Sequence, residues 1–296
     1  MRTNRLINGW PFVLPGLAFT LFVTLGPIAY VFVQSFQRVR LYRFNERPFI
    51  GLDNYLRVLG DMFVLRSVYV TILYTILVTL FCITLGLCIS VLINKKYVKR
   101  KNLILAIYLL PFIVTHVVTG LIFRILILEP SYGLLNYVIN SIFNANVTTA
   151  WTMNPATAFP VVIAVSVWRL IPLAILILYA GLTTIPNEVI EASTIDGASP
   201  FMAFRKIVYP LLHKHVFFVA LVLMTSAFRE YDTVFALTGG GPGRRTMVLS
   251  ILIYLRGTQS HDYGMASAIS VIMFLIIAVL AAVFMKTFTK VGRAEL

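Results

Sequence analysis

Charged side chains inside long apolar segments are the first candidates for chemistry in this chain. Arg169 lies in one such segment and Glu230 in another, and an ionisable group at membrane depth is costly unless it is paired or functional. The two residues fall at similar predicted depth, so we expect them to pair or to line one cavity together. The full set of candidates for a solute cavity is Ser166, Trp168, Arg169, Leu173, Ser226, Arg229, Glu230 and Tyr231.

Two interpretations of these charges remain open. Donors and acceptors beside the aromatic rings of Trp168 and Tyr231 suit a polar solute, but an ion-pair network that only locks two helices together is equally compatible with the pattern. Arg229 and Asp232 are three residues apart and are expected to share one helix face. The sequence alone does not choose between solute binding and structural locking.

The sequence contains no recognisable motif for catalysis or cofactor binding. The chain contains no Gly-Lys pair, whereas the phosphate-binding loop of ATPases needs one. No nucleophile lies near a general base, and the residues His116, His213, His215 and His261 are scattered without metal-ligand spacing. We therefore expect no catalytic residue, no metal site and no cofactor in this chain, and any energy for work must come from a partner.

Composition places the chain in a membrane. Apolar residues make up 59% of the chain and charged residues 12%, against about 25% charged in typical soluble domains; the mean hydropathy is +0.89. Windows of about 20 apolar residues are long enough to span a bilayer. The predicted transmembrane helices are 10–36, 67–93, 103–128, 159–183, 216–237 and 264–285.

Basic residues orient these spans. The loop at 94–101 carries five basic residues and no acidic one, which by the positive-inside rule places it in the cytoplasm. Six spans then put both termini and the segment 184–215 on the same side. The inner segments together carry more than twice the net positive charge of the outer ones. We predict a multi-pass, all-α protein of the cytoplasmic membrane, forming a single domain over 1–296, with lipid around it and no affinity for nucleic acid.

The polar segment 184–215 is predicted to form two helices around a glycine turn. Pro186 suits a first helical position, Gly197 can adopt a positive φ angle, and Ser199-Pro200 suits the N-cap and first position of a second helix. Apolar residues Phe201, Phe204 and Ile207 recur at helical spacing. We expect a short amphipathic helix on the cytoplasmic surface, packed either on a partner or on the chain itself.

This loop resembles the cytoplasmic EAA loop of ABC-importer permeases. Residues 191–198 have the pattern E-A-S-x-x-D-G-A, with Ser193 where alanine is usual, followed by phenylalanine, isoleucine and proline. Further elements resemble carbohydrate-type permeases along nearly the whole chain. They are F-I-G-L-D-N-Y at 49–55, Trp168 with Pro172, F-R-E-Y-D at 228–232, L-T-G-G-G-P at 237–242 and Y-G-M-A-S-A at 263–268.

The resemblance implies a type I ABC-importer permease fold and one half of a transmembrane heterodimer. The implied partners are a second permease, a pair of ATPase subunits that bind ATP and magnesium, and an extracytoplasmic binding protein that delivers a sugar, in a bacterium or an archaeon. It assigns ATPase coupling to Glu191, Ala192, Asp196, Gly197, Phe201, Phe204, Ile207 and Pro210.

Alternatives to sugar import remain at this point. A positive charge at the membrane midplane also permits an anionic sugar derivative. A permease for peptides or another solute class is disfavoured by the G-G-P and Y-G-x-A elements, and a membrane enzyme or an ion channel fits less well. Helix-end capping is the simpler explanation for Glu191 and Asp196 if no partner docks there.

Overall fold

The computed structural model describes residues 10–43, 46–95 and 97–293, and regular structure there is helical apart from two isolated β-bridges. The predicted all-α class is confirmed. Residues 1–9, predicted to be cytoplasmic, lie outside the described ranges. The α-helices are α1 Trp10–Ser35, α2 Asp53–Gly60, α3 Met62–Asn94, α4 Lys101–Ile113, α5 His116–Ile122, α6 Leu134–Phe143, α7 Ala158–Thr183, α8 Asn187–Ile195, α9 Pro200–Ala203, α10 Tyr209–Phe228, α11 Asp232–Thr238, α12 Leu249–Thr258 and α13 Tyr263–Arg293.

Five helices in the described ranges are long and apolar enough to cross a membrane. They are α1, α3, α7, α13 and the continuous helix Pro200–Phe228, in which α9 and α10 are joined by a π-helical turn. A sixth candidate consists of α4 and His116–Ile127, which meet at an angle of 90°. With that pair counted as one span, every predicted window contains a helix.

The third window is not the single straight helix that was predicted over 103–128. Helix α4 ends at Ile113, and Val114 and Thr115 adopt extended backbone angles before α5 begins at His116. Pro111 lies in the last turn of α4, and a proline removes a backbone hydrogen bond and clashes with the preceding turn, which favours a break nearby.

The fifth window, predicted over 216–237, is wrong at both ends. The short helix predicted to begin at Pro200 and the predicted span are one continuous helix, which also includes residues 209–215 that were expected to lie outside the span. It ends at Phe228, and α11 begins only at Asp232. The break falls on consecutive polar residues, which can form hydrogen bonds without continuing the helix. For example, the Ser250 hydroxyl donates to the Glu230 carbonyl oxygen at 2.5 Å.

The described residues form two compact units. One contains the described part of Met1–Leu65 with Leu252–Ile276. Its centre is polar, since the buried Asn54 amide donates to the carbonyl oxygens of Ser35 and Gln37, both at 2.9 Å. An ion pair joins Arg57 to Asp262 at 3.4 Å. These contacts tie α2 to the start of α13 and to the segment that follows α1.

The other unit comprises Arg66–Ile251 and the described part of Ile277–Leu296. Here α3 and α7 approach closely, because a Cβ atom added to Gly86 would lie only 2.8 Å from the Cβ of Ala174. The Ser90 hydroxyl donates to the Ile175 carbonyl oxygen at 3.0 Å across the same pair. Small residues and interhelical hydrogen bonds are typical of helix packing in membranes. Both candidate sites described next lie in this unit.

Candidate functional site

The polar loop after α7 has the predicted helix, glycine turn and helix. Helix α8 ends at Ile195, and Gly197 adopts a φ angle of +78°, a conformation that glycine adopts without the steric cost of a side chain. The Ser199 hydroxyl accepts a hydrogen bond from the Met202 amide at 3.3 Å, which confirms Ser199 as an N-cap. Pro186 is at the N-cap position rather than the first helical position that was predicted, one residue before α8 begins.

The loop divides its residues between solvent and the rest of the chain. Phe204 is half-buried and lines a cavity of about 410 Å³ together with Leu182, Ile190 and Val208. Phe201 is 72% exposed. The predicted apolar stripe is therefore split, with Ile207 half-buried. The remaining predicted coupling residues are exposed: Glu191, Ala192, Asp196, Gly197 and Pro210.

The same cavity indicates which part of the bundle lies near the loop. Asn94 and Lys95 line it, at the end of α3, as do Thr194 and Pro200 of the loop. The beginning of the basic segment 94–101 and the polar loop are therefore at the same end of this unit.

A second cavity, of about 470 Å³, contains the charged residues that were expected inside spans. Volumes of this size fall in the range of small-molecule sites, roughly 300–1,000 Å³. Its walls come from the end of α4, the start of α5, the middle of α7 and the break between α10 and α11. The lining residues are Phe112, His116, Arg169, Leu170, Leu173, Ser226, Arg229, Glu230, Tyr231 and Asp232.

Arg169 and Glu230 are both buried in this wall, and His116 lies between them. Arg169 is 6% exposed and Glu230 is 7% exposed. The Arg169 Nη2 atom lies 3.0 Å from His116 Nδ1, and His116 Nε2 lies 3.8 Å from Glu230 Oε2. The other carboxylate oxygen, Glu230 Oε1, accepts a hydrogen bond from the Thr233 amide at 2.9 Å and so holds the first turn of α11.

His116 was missed because four scattered histidines were treated as unremarkable. The signal that could have found it is the same one that found Arg169: an ionisable side chain inside an apolar window. His116 also directly follows the break between α4 and α5, and a broken helix allows a side chain at its new N-terminus to approach a neighbouring span. Asp232, considered only as a partner of Arg229, is a further lining residue.

Six of the eight predicted cavity residues line this cavity, and two do not. Ser166 is buried against Tyr74, whose hydroxyl lies 2.8 Å from its own. Trp168 is 41% exposed and packs on Phe123 with ring centroids 5.1 Å apart. The two side chains contact Tyr74 and Phe123 instead of the cavity, so proximity in sequence to Arg169 misplaced them.

The expected sharing of a helix face by Arg229 and Asp232 is wrong. Helix α10 ends before Arg229 and α11 begins at Asp232, so the two residues belong to different elements. The Arg229 Nε atom instead donates to the Thr225 carbonyl oxygen at 3.2 Å, back along the helix it follows.

Comparison with known proteins identifies the family. Residues 83–290 match the family described as binding-protein-dependent transport system inner membrane component. The chain belongs to this family. The matched range contains both the loop and the polar cavity. The chain is thus a membrane component of an ABC importer, whose ATPase is a separate subunit, as predicted from the missing phosphate-binding loop.

Named relatives cover nearly the whole chain. The trehalose/maltose transport system permease protein MalF of Thermococcus litoralis is 35% identical over 96% of this chain and 93% of its own. The sn-glycerol-3-phosphate transport system permease protein UgpA of Yersinia pestis is 30% identical over 90% and 88%. A solved bacterial ABC transporter involved in alginate import has a chain that superposes with a TM-score of 0.82 over 97% of both chains, at 18% identity. The type I importer fold is confirmed.

Proposed function

We propose that this chain is one half of the transmembrane pathway of an ABC importer for a sugar or sugar derivative. The observation that carries the proposal is the polar cavity, in which the buried charges Arg169 of α7 and Glu230 of the α10–α11 break face one space with the half-buried His116 of α5. A cavity with donors, acceptors and the aromatic rings of Phe112 and Tyr231 suits a polyhydroxylated solute. Relatives named for trehalose/maltose and sn-glycerol-3-phosphate transport support this solute class.

The polar loop is proposed to receive the ATPase. Its exposed residues include Glu191, Asp196 and Phe201, and an exposed aromatic side chain is typical of the centre of a protein interface. ATP and magnesium bind the ATPase pair and not this chain. Transport requires that the nucleotide state of the ATPase favours one conformation of the permease over the other, and the loop is the element through which that preference reaches the cavity.

The proposed orientation places the loop, the basic segment 94–101 and both termini in the cytoplasm. This orientation is supported by Lys95 and the loop, which lie at the same end of one unit. The positive-inside rule therefore places the basic segment and the loop on the same side of the membrane. The protein then resides in the cytoplasmic membrane of a bacterium or an archaeon, surrounded by lipid.

Two further partners complete the proposal. One is a second permease subunit, with which this chain forms a heterodimer. The other is a binding protein on the outer side, supported by the solved alginate transporter in complex with its pentasaccharide-bound periplasmic protein, which superposes with a TM-score of 0.80. Arg169 and Arg229 also make a phosphorylated sugar a candidate solute.

The test is ATP-driven uptake by the whole importer. The chain is co-purified with its partner subunits, placed in proteoliposomes and supplied with the binding protein encoded beside it. A panel of radiolabelled uncharged sugars and sn-glycerol 3-phosphate is offered with ATP or with a non-hydrolysable analogue. We expect at least one of these compounds to accumulate only with ATP. Accumulation without ATP, or none with any member of the panel, contradicts the proposal.

A further inference from the structure

The space between His116 and Glu230 has a defined hydrogen-bonding character. A guanidinium group has only donors, so His116 Nδ1 must accept from Arg169 Nη2 at 3.0 Å. The ring is therefore neutral, and its proton lies on Nε2, an assignment that follows from the hydrogen-bond network. That N–H faces the carboxylate oxygen Glu230 Oε2.

The two atoms are too far apart to bond each other. Their separation is 3.8 Å, beyond the roughly 3.2 Å limit of a good N–H···O hydrogen bond. Glu230 Oε1 is already occupied by the Thr233 amide. The site thus presents one donor and one acceptor, side by side, at the wall of a 470 Å³ cavity.

A hydroxyl group matches this pair, because it can accept from His116 Nε2 and donate to Glu230 Oε2 at once. A solute oxygen can lie within hydrogen-bond distance of both atoms, about 2.8 Å from each, because they are 3.8 Å apart. An ionised phosphate or carboxylate oxygen can only accept, so it would meet the Glu230 carboxylate with like charge and no proton to share.

The remaining charges of the cavity do not favour an anion. Arg169 and Arg229 are balanced by Glu230 and Asp232 in the lining, with His116 neutral. One N–H group of each arginine is engaged within the protein, on His116 for Arg169 and on the Thr225 carbonyl oxygen for Arg229, while Arg169 Nε has no partner among the described residues. An anionic solute would thus bring uncompensated charge into a space that is already balanced.

We propose that His116 and Glu230 form a hydroxyl-selective pair that makes this cavity bind uncharged sugars in preference to phosphorylated ones, with His116 as the specificity-determining residue. The proposal rests on the proposed function, since it needs the cavity to lie on the solute pathway. It goes further by choosing between the two solute classes that the relatives leave open.

Direct binding to the importer without its binding protein tests the proposal. The whole membrane complex in nanodiscs is titrated by equilibrium dialysis with a panel of radiolabelled uncharged mono- and oligosaccharides and with sn-glycerol 3-phosphate. The variants are His116→Leu and His116→Gln, since a glutamine can accept from Arg169 and donate to a solute hydroxyl. Trp168→Phe, which changes a neighbouring side chain outside the cavity, is the matched control.

We expect the parent to bind its preferred uncharged sugar more tightly than sn-glycerol 3-phosphate. His116→Leu should weaken the affinity for that sugar up to about tenfold, the upper value of one hydrogen bond between neutral groups. The same change should leave the affinity for sn-glycerol 3-phosphate nearly unchanged. His116→Gln should recover most of the loss. Because a purely structural defect lowers both affinities together, the ratio between the two solutes separates selectivity from folding.

Three results overturn the proposal. The first is that the parent binds sn-glycerol 3-phosphate more tightly than every uncharged sugar. The second is that His116→Leu leaves the ratio between the two solute affinities unchanged. The third is that the parent binds no uncharged sugar. Each leaves the proposed function standing if the whole importer still accumulates a sugar with ATP. Failure of ATP-driven uptake for the entire panel instead removes the proposed function itself.

Discussion

Removal of one buried charge from the cavity should lower the free energy of unfolding more than removal of both charges. Arg169 and Glu230 are each less than a tenth exposed and are linked through His116. The changes are Arg169→Met, which keeps an unbranched chain, and Glu230→Gln, which keeps an acceptor for the Thr233 amide. Each single variant leaves an uncompensated buried charge, a defect that typically costs about 3–5 kcal/mol.

The double variant contains neither charge, so its destabilisation should fall well below the sum of the two single ones. We expect an interaction energy of at least about 2 kcal/mol, near the upper part of the range for residues in one network. The measurement is a double-mutant cycle from reversible unfolding in mixed micelles, with SDS as the denaturant, and with apparent solute affinity recorded for all four proteins.

A matched control pair lies in the other compact unit. Arg57 and Asp262 form an ion pair at 3.4 Å with side chains 39% and 13% exposed, and Asp262 Oδ1 accepts from the Met265 amide at 3.1 Å, as Glu230 does from Thr233. Arg57→Met and Asp262→Asn should show an interaction energy below about 1 kcal/mol, since partly exposed pairs contribute little.

Additivity within about 0.5 kcal/mol for Arg169 and Glu230 would refute the reasoning, because independent sites add to that accuracy. If the cycle shows coupling, the affinity data decide between the two original interpretations. A structural lock lowers stability with solute affinity unchanged, whereas a solute site lowers affinity in single variants that still assemble.

Four further predictions concern the loop and the bundle. Phe201→Asp should reduce ATPase recruitment in co-purification while leaving the permease folded, because Phe201 is 72% exposed; Phe204→Asp should lower the melting temperature, since it places a charge in the chain's own cavity. Asp196→Cys should react with an impermeant thiol reagent only in permeabilised cells, and reaction in intact cells would refute the orientation. Gly86→Ala should destabilise by about 1–3 kcal/mol through overpacking, with rescue by Ala174→Gly measured by thermal unfolding.

Hydropathy predicted the spans because backbone groups in lipid must bond within a helix or a closed barrel. It could not locate the breaks. Pro111 is compatible with a continuous transmembrane helix, and only the extended conformation of Val114 and Thr115 shows that the chain turns. In the fifth span, residues 209–215 were assigned to the cytoplasmic segment, yet the transmembrane helix already includes them.

The local structure of the polar loop was predictable because Gly197, Ser199 and Pro200 each have a specific backbone role. The cavity was less predictable. Arg169 and Glu230 could be placed at similar depth from helical rise, but the position of His116 depends on a 90° bend that no periodicity encodes. Ser166 and Trp168 were placed in the cavity by proximity in sequence, but they pack on Tyr74 and Phe123, which are distant in sequence and could not be foreseen.

The unbroken helix Pro200–Phe228 has a mechanical consequence. Its 29 residues form a rod about 43 Å long that begins in the polar loop and ends one residue before Arg229 of the cavity wall. Because no hinge interrupts the helix, rotation or translation at one end is transmitted to the other end. The π-helical turn Phe204–Val208 can absorb part of this motion. The number of residues in the helix therefore sets the angle between the two sites about the helix axis. One residue inserted after Leu221 would turn the cavity end by about 100° relative to the loop. Each site would remain intact, but the two would no longer be in register.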